Sequence, residues 1–299
     1  MFARFSSFIV IASICLTPCA HSQTGVLFLK SPDKKTEVQI GTSENLNISI
    51  LHNNKLLMSA SPIAVEVMGS TKIGARPKVV STKTDMVNDT IHPVVPEKRS
   101  VIPDIYTQLT VRLTGGWALV VRAYDDGVAY RFRTVTPGDL TITNEELIIR
   151  LAPDDSIWFP EETSFLSHSE RLYEYRAVSG IADTQMCCVP AVITCAGGTR
   201  IAITEADLLD YPGLYLKGVG GPILRAAFPA YPEEEQLVGD RTVKVTKRAP
   251  YLARTKGPRD FPWRVFAIAE RDGDLVENDI VYRLGRPTAL NETSWIRPG

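Results

Sequence analysis

The sequence has little of what most catalytic or cofactor-holding chains carry. Four histidines and five cysteines are spread over 299 residues. No Cys-x-x-Cys stands near a matching histidine set, which excludes the common structural zinc sites. There is no Gly-x-Ser-x-Gly elbow, no His-Glu-x-x-His and no phosphate-cradling loop, so the usual hydrolase, metalloprotease and nucleotide signatures are missing. Lys and Arg number 33 against 34 Asp and Glu, for a net charge of -1. No basic stripe appears, and nucleic acid is not an expected partner. Apolar runs long enough to span a bilayer are absent. Long helical periodicity is nearly absent too, and its best candidate is the short stretch Glu161–Ala177.

Short alternating runs are what the chain does have. Ile105, Thr107, Leu109, Val111 and Leu113 alternate with Tyr106, Gln108, Thr110 and Arg112, and Val128, Tyr130 and Phe132 alternate with Ala129, Arg131 and Arg133. Leu46–Leu51 and Ile63–Val67 share this period of two, the mark of strands with one buried face. Ile280–Leu284 reads as the last strand-like run. Between the runs sit turn signals such as Thr114-Gly115-Gly116, Asp125-Asp126-Gly127, Ala196-Gly197-Gly198 and Asp272-Gly273-Asp274. Twenty prolines and twenty glycines, scattered rather than clustered, punctuate many short strands. The pattern predicts an all-β fold, a sandwich of two large antiparallel sheets.

The N-terminus reads as an export signal. Arg4 supplies a positive start, Phe8–Leu16 an apolar core, and Ala20-His21-Ser22 the small residues of a cleavage site before Gln23. Residues 1–22 are thus expected to be a signal peptide, with a periplasmic or secreted product and no membrane span. Cleavage removes Cys15 and Cys19 and leaves Cys187, Cys188 and Cys195. Three thiols make a poor disulfide framework. A Cys188–Cys195 or Cys187–Cys195 bridge across a hairpin stands open beside the plainer reading, small buried apolar residues.

Few side chains suggest chemistry. His52, His92 and His168 are scattered, and His168 lies in a polar stretch that reads as surface. Asp125-Asp126-Gly127 is most simply a hairpin turn, Glu233-Glu234-Glu235 a solvated loop, and Glu161-Glu162 the possible edge of a groove. Glu205 differs in context. It ends the apolar run Arg200-Ile201-Ala202-Ile203-Thr204 and is followed by Ala206-Asp207-Leu208 and a Tyr211-Pro212-Gly213 turn. A hard cation such as calcium takes carboxylate oxygens held on rigid elements, but it needs six to eight ligands, and one glutamate is not a site.

Four ordered segments carry a resemblance. Arg122-Ala123-Tyr124-Asp125-Asp126-Gly127-Val128-Ala129-Tyr130-Arg131-Phe132 resembles a strand–turn–strand of the N-terminal domain of glycoside hydrolase family 97. Tyr173-Glu174-Tyr175, then Ile203–Leu208 with Tyr211-Pro212-Gly213, then Pro262-Trp263-Arg264-Val265 follow in the family's order. Ser294-Trp295-Ile296-Arg297-Pro298-Gly299 looks like the family's junction into a catalytic (β/α)8 barrel. The resemblance implies a galactose-mutarotase-like β-super-sandwich over 23–285. It also implies a linker at 286–299 leading into a barrel that these 299 residues do not include. Members of the family hydrolyse α-glucosides or α-galactosides with an active-site calcium, so the implied partners are that barrel in cis and an α-linked oligosaccharide. The N-terminal domain lends the metal one glutamate, and Glu205 is the matching position. Calcium is then expected to bind this chain alone weakly or not at all. With no catalytic residue in these 299 residues, the chain is expected to be inactive by itself.

Two further expectations concern its surface. Leu208, Tyr211, Leu214, Tyr215, Trp263 and Trp295 are predicted to form a seam for a partner domain, with Trp295 solvent-exposed. The alternative function is a stand-alone secreted carbohydrate-binding module, with aromatics such as Trp117, Tyr173, Tyr175 or Tyr231 stacking on sugars.

Overall fold

A computed structural model describes residues 25–70 and 72–297, so the expected signal peptide and its cleavage site lie outside the described residues. The first half contains β1 (Val26–Lys30), β2 (Thr36–Gly41), β3 (Asn47–His52), β4 (Lys55–Val67), β5 (Val79–Ile91), β6 (Ile102–Leu113), β7 (Trp117–Tyr124) and β8 (Gly127–Arg150). The second half contains β9 (Ser156–Glu162), β10 (Tyr173–Ala177), β11 (Met186–Cys188), β12 (Ala191–Thr194), β13 (Arg200–Ala206), β14 (Tyr215–Gly218) and β15 (Ile223–Ala227). Then come β16 (Pro232–Val238), β17 (Thr242–Arg248), β18 (Ala253–Asp260), β19 (Trp263–Ala269), and the short helices α1 (Asp272–Val276) and α2 (Ile280–Leu284). The strand pairings are antiparallel, as the alternation predicts.

Two layers can be followed through the pairings. One runs β5–β6–β7–β8–β19–β13–β12–β9–β10. The other runs β1–β2–β3–β4–β8–β15–β14–β11–β9. Both use β8, whose start pairs with β7 and β19 and whose end pairs with β4 and β15. A 24-residue strand can serve both layers because it bends between them, where β18 crosses it with a register shift at Gly257. Inward residues of both layers fill one core, with Ile40, Ile48 and Ile63 from one side meeting Val111, Leu119, Val121 and Phe266 from the other.

The strands β7 and β19 and the start of β8 are buried on both faces. Their inner face belongs to the main core. Their outer face, with Val120, Tyr124, Ala129, Trp263, Val265 and Ala267, forms a second cluster with Ile280 and Leu284 of α2. The Asp125-Asp126 turn joins Tyr124 to Gly127 as a two-residue hairpin, as expected. At Gly127 a Cβ would fall 2.9 Å from the Phe266 carbonyl oxygen, so this close approach of β8 to β19 admits only glycine.

Three local expectations are corrected. Glu161–Ala177 is not helical: β9 ends at Glu162, a loop follows, and Tyr173–Ala177 is an edge strand on β9. In the loop Ser164, Ser167 and His168 accept hydrogen bonds from the backbone two residues on, which competes with a helix. Ile280–Leu284 is a helix, because Ile280 and Leu284, four residues apart, are the two positions it buries. Glu233-Glu234-Glu235 lies on β16, in a solvated hairpin with β17 rather than a loop.

Candidate functional site

Glu205 lies near the end of β13. Along that strand Ile201 and Ile203 point into the core, so strand parity sends the Glu205 side chain inward too. Directly opposite, in register on β19, stands Arg264. The arginine is fully buried and faces the same way, because Phe266 and Ile268 fix the parity of β19. Its Nη1 donates to Glu205 Oε2 at 2.7 Å. Its Nε and Nη2 donate to Glu145 Oε1 and Oε2 at 2.7 and 2.8 Å, a two-pronged clamp from β8. Two carboxylates and one guanidinium thus share the interior.

The loop after β13 folds back over the carboxylate. Asp207 and Asp210 take left-handed backbone angles, φ 56° and 50°, which turn the chain twice. The Leu214 amide then donates to Glu205 Oε1 at 3.0 Å and Oε2 at 3.2 Å. A Cβ on Gly213 would sit 3.4 Å from Oε1. Phe228 lies under the Arg264 guanidinium at 4.9 Å and Tyr211 at 5.9 Å. Only 12% of the Glu205 side chain is exposed. Burial pushes the Glu205 carboxyl above its ordinary value, although Arg264 and the Leu214 amide pull the other way. Burial opposes the charge on Arg264, but Glu145 outweighs it and holds the guanidinium firmly protonated.

As a ligand position, Glu205 has the right donor for a hard cation. Arg264 anchors Oε2, and among the described residues Oε1 meets only the Leu214 amide. It does not make a site alone: among the described residues no group of three or more His, Cys, Asp or Glu side chains is placed to hold a metal. The residues fit one contribution to a shell shared with another domain.

Around the corner, Asp207 is buried and receives Arg131 Nη1 at 3.3 Å and Arg286 Nε at 2.9 Å. Arg131 also reaches Asp260 at 2.8 Å and lies 4.2 Å over the Trp263 ring. Burial lowers Arg131 to about 10 against the pull of Asp260. Beside this network opens a cavity of about 730 Å³ lined by Arg133, Arg254, Lys256, Arg259 and Arg286, with Asp210 and Asp260 the only acids.

The other residues singled out in the sequence fall elsewhere. Of the six expected seam residues, Leu208 and Trp295 are exposed, Trp295 by 65%, and Tyr211 and Tyr215 are partly covered. Leu214 and Trp263 are corrected to core: the first follows Gly213 inward, the second packs beneath Arg131. Trp117 is also core, against Phe261, which removes it from any sugar platform, while Tyr173, Tyr175 and Tyr231 are exposed. Cys187, Cys188 and Cys195 are buried free thiols, so neither bridge forms. Burial raises the Cys195 thiol to about 12. His168 is at the surface as read. His52 is buried between Thr36 and Glu270. Glu162 is buried against Arg171, and Glu161 pairs with Arg176. Sequence reasoning missed Arg264 and Glu145 as partners of Glu205. One signal was available: an arginine inside the otherwise apolar run Trp263–Ala269 must be paired.

Comparisons with known proteins agree with this architecture. The family profile described as "Glycosyl-hydrolase 97 N-terminal" matches residues 29–287. A retaining alpha-galactosidase from Bacteroides thetaiotaomicron is 29% identical over 289 residues, covering 91% of this chain and 43% of that protein. A probable retaining alpha-galactosidase from Streptomyces bingchenggensis is 23% identical over 306 residues, covering 99% and 44%. The chain thus spans less than half the length of these relatives. Among solved structures, a family 97 enzyme in complex with acarbose from Pseudoalteromonas sp. strain K8 superposes with a TM-score of 0.77 at 21% identity, over 91% of this chain and 40% of that one.

Proposed function

Because this chain belongs to glycoside hydrolase family 97 as its N-terminal domain, we propose that it serves an exported glycosidase of α-glucosidase or α-galactosidase type, packing on a catalytic barrel and lending it Glu205 as one calcium ligand. The observation that carries the reading is the carboxylate itself: Glu205 is rigidly held by Arg264 and Leu214 at the end of the sandwich where Arg286 leads the chain away. A glutamate so fixed presents its oxygen at small entropic cost, as a shared metal site requires. Arg254 and Lys256 have no ion-pair partner among the described residues, and the cavity they line suits an acidic surface on the barrel. Both curated relatives are alpha-galactosidases, which favours the galactoside arm.

Here the protein supplies position and electrostatics. Arg264 and Glu145 fix the rotamer of Glu205, and the Tyr211-Pro212-Gly213 turn shields it from water. A calcium ion bound there would polarise groups around the scissile bond. The general acid and its partner carboxylate belong to the barrel, so this chain alone is expected to show no turnover of nitrophenyl α-glucoside or α-galactoside. The test joins the chain to a family barrel. Calcium titration should show weaker binding in Glu205→Gln than in the parent, with the melting temperature of the sandwich retained. Equal calcium affinity in the two removes Glu205 from the site. Export is checked separately: the mature protein from its host should begin at Gln23, and an intact Met1 on exported protein overturns that part.

A further inference from the structure

The outer face of the β13–β19 layer is only partly covered. Val265 and Ala267 of β19 are buried with Ile280 and Leu284 of α2. The same face then continues across β12, β9 and β10, with Ala202 beside Val192, Val192 beside Trp158, and Trp158 beside Tyr175. There it ends in open aromatics. Ile157 and Phe159 are fully buried in the core, so parity forces Trp158 outward. Trp158 is 43% exposed, Tyr175 53% and Tyr173 43%. The Trp158 and Tyr175 rings lie 5.0 Å apart, tilted by 49°. Tyr173 stands on the same side two residues away, its hydroxyl donating to the Pro190 carbonyl at 2.9 Å, which fixes the ring before any ligand arrives. Polar groups close both ends of the strip. Arg171, tied at 2.8 Å to the buried Glu162, lies at one, and the side-by-side Ser156 and Thr194 lie at the other.

We propose that Trp158, Tyr175 and Tyr173 form a surface platform that stacks the sugar rings of an α-linked oligosaccharide, apart from the Glu205 site. A hexose has an apolar C–H face and a rim of hydroxyls, and a rigid aromatic strip with hydrogen-bonding ends is its complement. The open ring surface is roughly 300 Å², well short of the ~800 Å² per partner of a stable protein interface. Glu205 is on the inner face of the layer and the platform on its outer face, so one sugar ring cannot touch both. The ligand class rests on the family reading above. The platform itself rests on the geometry.

The test uses the intact chain. Of four tryptophans, Trp117 and Trp263 are buried, so Trp158 and Trp295 are the solvent-facing reporters. With Trp295→Phe as background, titration with maltotriose or raffinose should give a saturable change in Trp158 emission. Calorimetry should show Tyr175→Ala and Trp158→Ala weakening the binding about tenfold or more, while Glu205→Gln leaves it unchanged. Tyr175 is on the edge strand, so its variant decides the matter if Trp158→Ala fails to fold. No saturable response to either sugar overturns the platform. So does undiminished binding by both variants, or loss of binding in Glu205→Gln, which would place the sugar at the other site. Failure of the calcium titration would refute the role of Glu205 and leave the platform standing.

Discussion

Trp263 and Arg264 are neighbours on β19, yet they solve opposite problems. On the inner face, Arg264 is a charge in the core, held by Glu145 and Glu205 through three hydrogen bonds of 2.7–2.8 Å. On the outer face, Trp263 is the apolar element, and the charges come to it. Arg131 lies 4.2 Å and Arg122 4.9 Å over its ring, while Asp207 and Asp260 hold Arg131 from the side. The inner arrangement depends on Arg264, because without it Glu145 and Glu205 would be bare ions in low dielectric. The outer one depends on the ring, and its ion network runs out to solvent through Asp260 and Arg286. The inner face is therefore suited to fixing Glu205 in one geometry, and the outer face to holding the start of the C-terminal segment in place.

The two faces differ most at Arg264. Arg264→Met leaves Glu145 and Glu205 buried without a counter-charge, and should destabilise the domain by about 3–5 kcal/mol in denaturant unfolding. Arg264→Lys keeps the charge but loses the two-pronged geometry, so it should fall between Met and the parent. Next is Trp263→Ala, expected to cost about 3–4 kcal/mol through its cavity and the lost stacking of two arginines. If Arg264→Met is nearly neutral and Trp263→Ala is not, the inner ion cluster adds little and the contrast collapses.

A smaller effect separates the faces by pH. Burial raises the Glu205 carboxyl above its ordinary value. The folded state therefore binds a proton more readily than the unfolded one, and Glu205's contribution to stability falls as pH rises from the ordinary carboxylate value through the raised one. Glu205→Gln lacks that slope. Urea unfolding from pH 4 to 7 should show the parent losing stability relative to the variant as pH rises. A parallel pair of curves would mean that Arg264 fully offsets the burial. With the barrel and calcium present, the shift should reverse, because a cation on Oε1 favours the ionised form.

Much of this was legible beforehand, and the failures share a cause. Period-two alternation predicted the strands over Leu46–Leu51, Ile105–Leu113 and Val128–Phe132, because each has one core face. Glu205 stood out as a carboxylate closing an apolar run. Its partners did not, because Glu145 and Arg264 are 119 residues apart in sequence and meet only across the core: Arg264 pairs with the start of β8, and Glu145 lies on its far part, beside Val65 of β4. Trp158 escaped notice because Ile157-Trp158-Phe159 is continuously apolar, and such a run does not say which residue faces out. Ile280–Leu284 misled because apolar residues at 280, 281 and 284 fit either period over so short a span.

The smallest expected effect concerns Arg286, where the chain leaves the outer face. Its Nε meets Asp207 Oδ1 and Oδ2 at 2.9 and 3.0 Å, and half of its side chain is in solvent. Asp207 keeps Arg131 when Arg286 is gone, so the carboxylate is not stranded. Arg286→Ala should therefore change global stability by less than about 1 kcal/mol. Its consequence should be local: amide exchange over residues 286–296 should quicken, while β13 and β19 stay protected. Salt should mimic the substitution, because a half-exposed pair is screened, and it should leave the Arg264 cluster unmoved. If Arg286→Ala instead unfolded the domain as readily as Trp263→Ala, the outer face would share the all-or-none character of the inner one, and Asp207 would need both arginines.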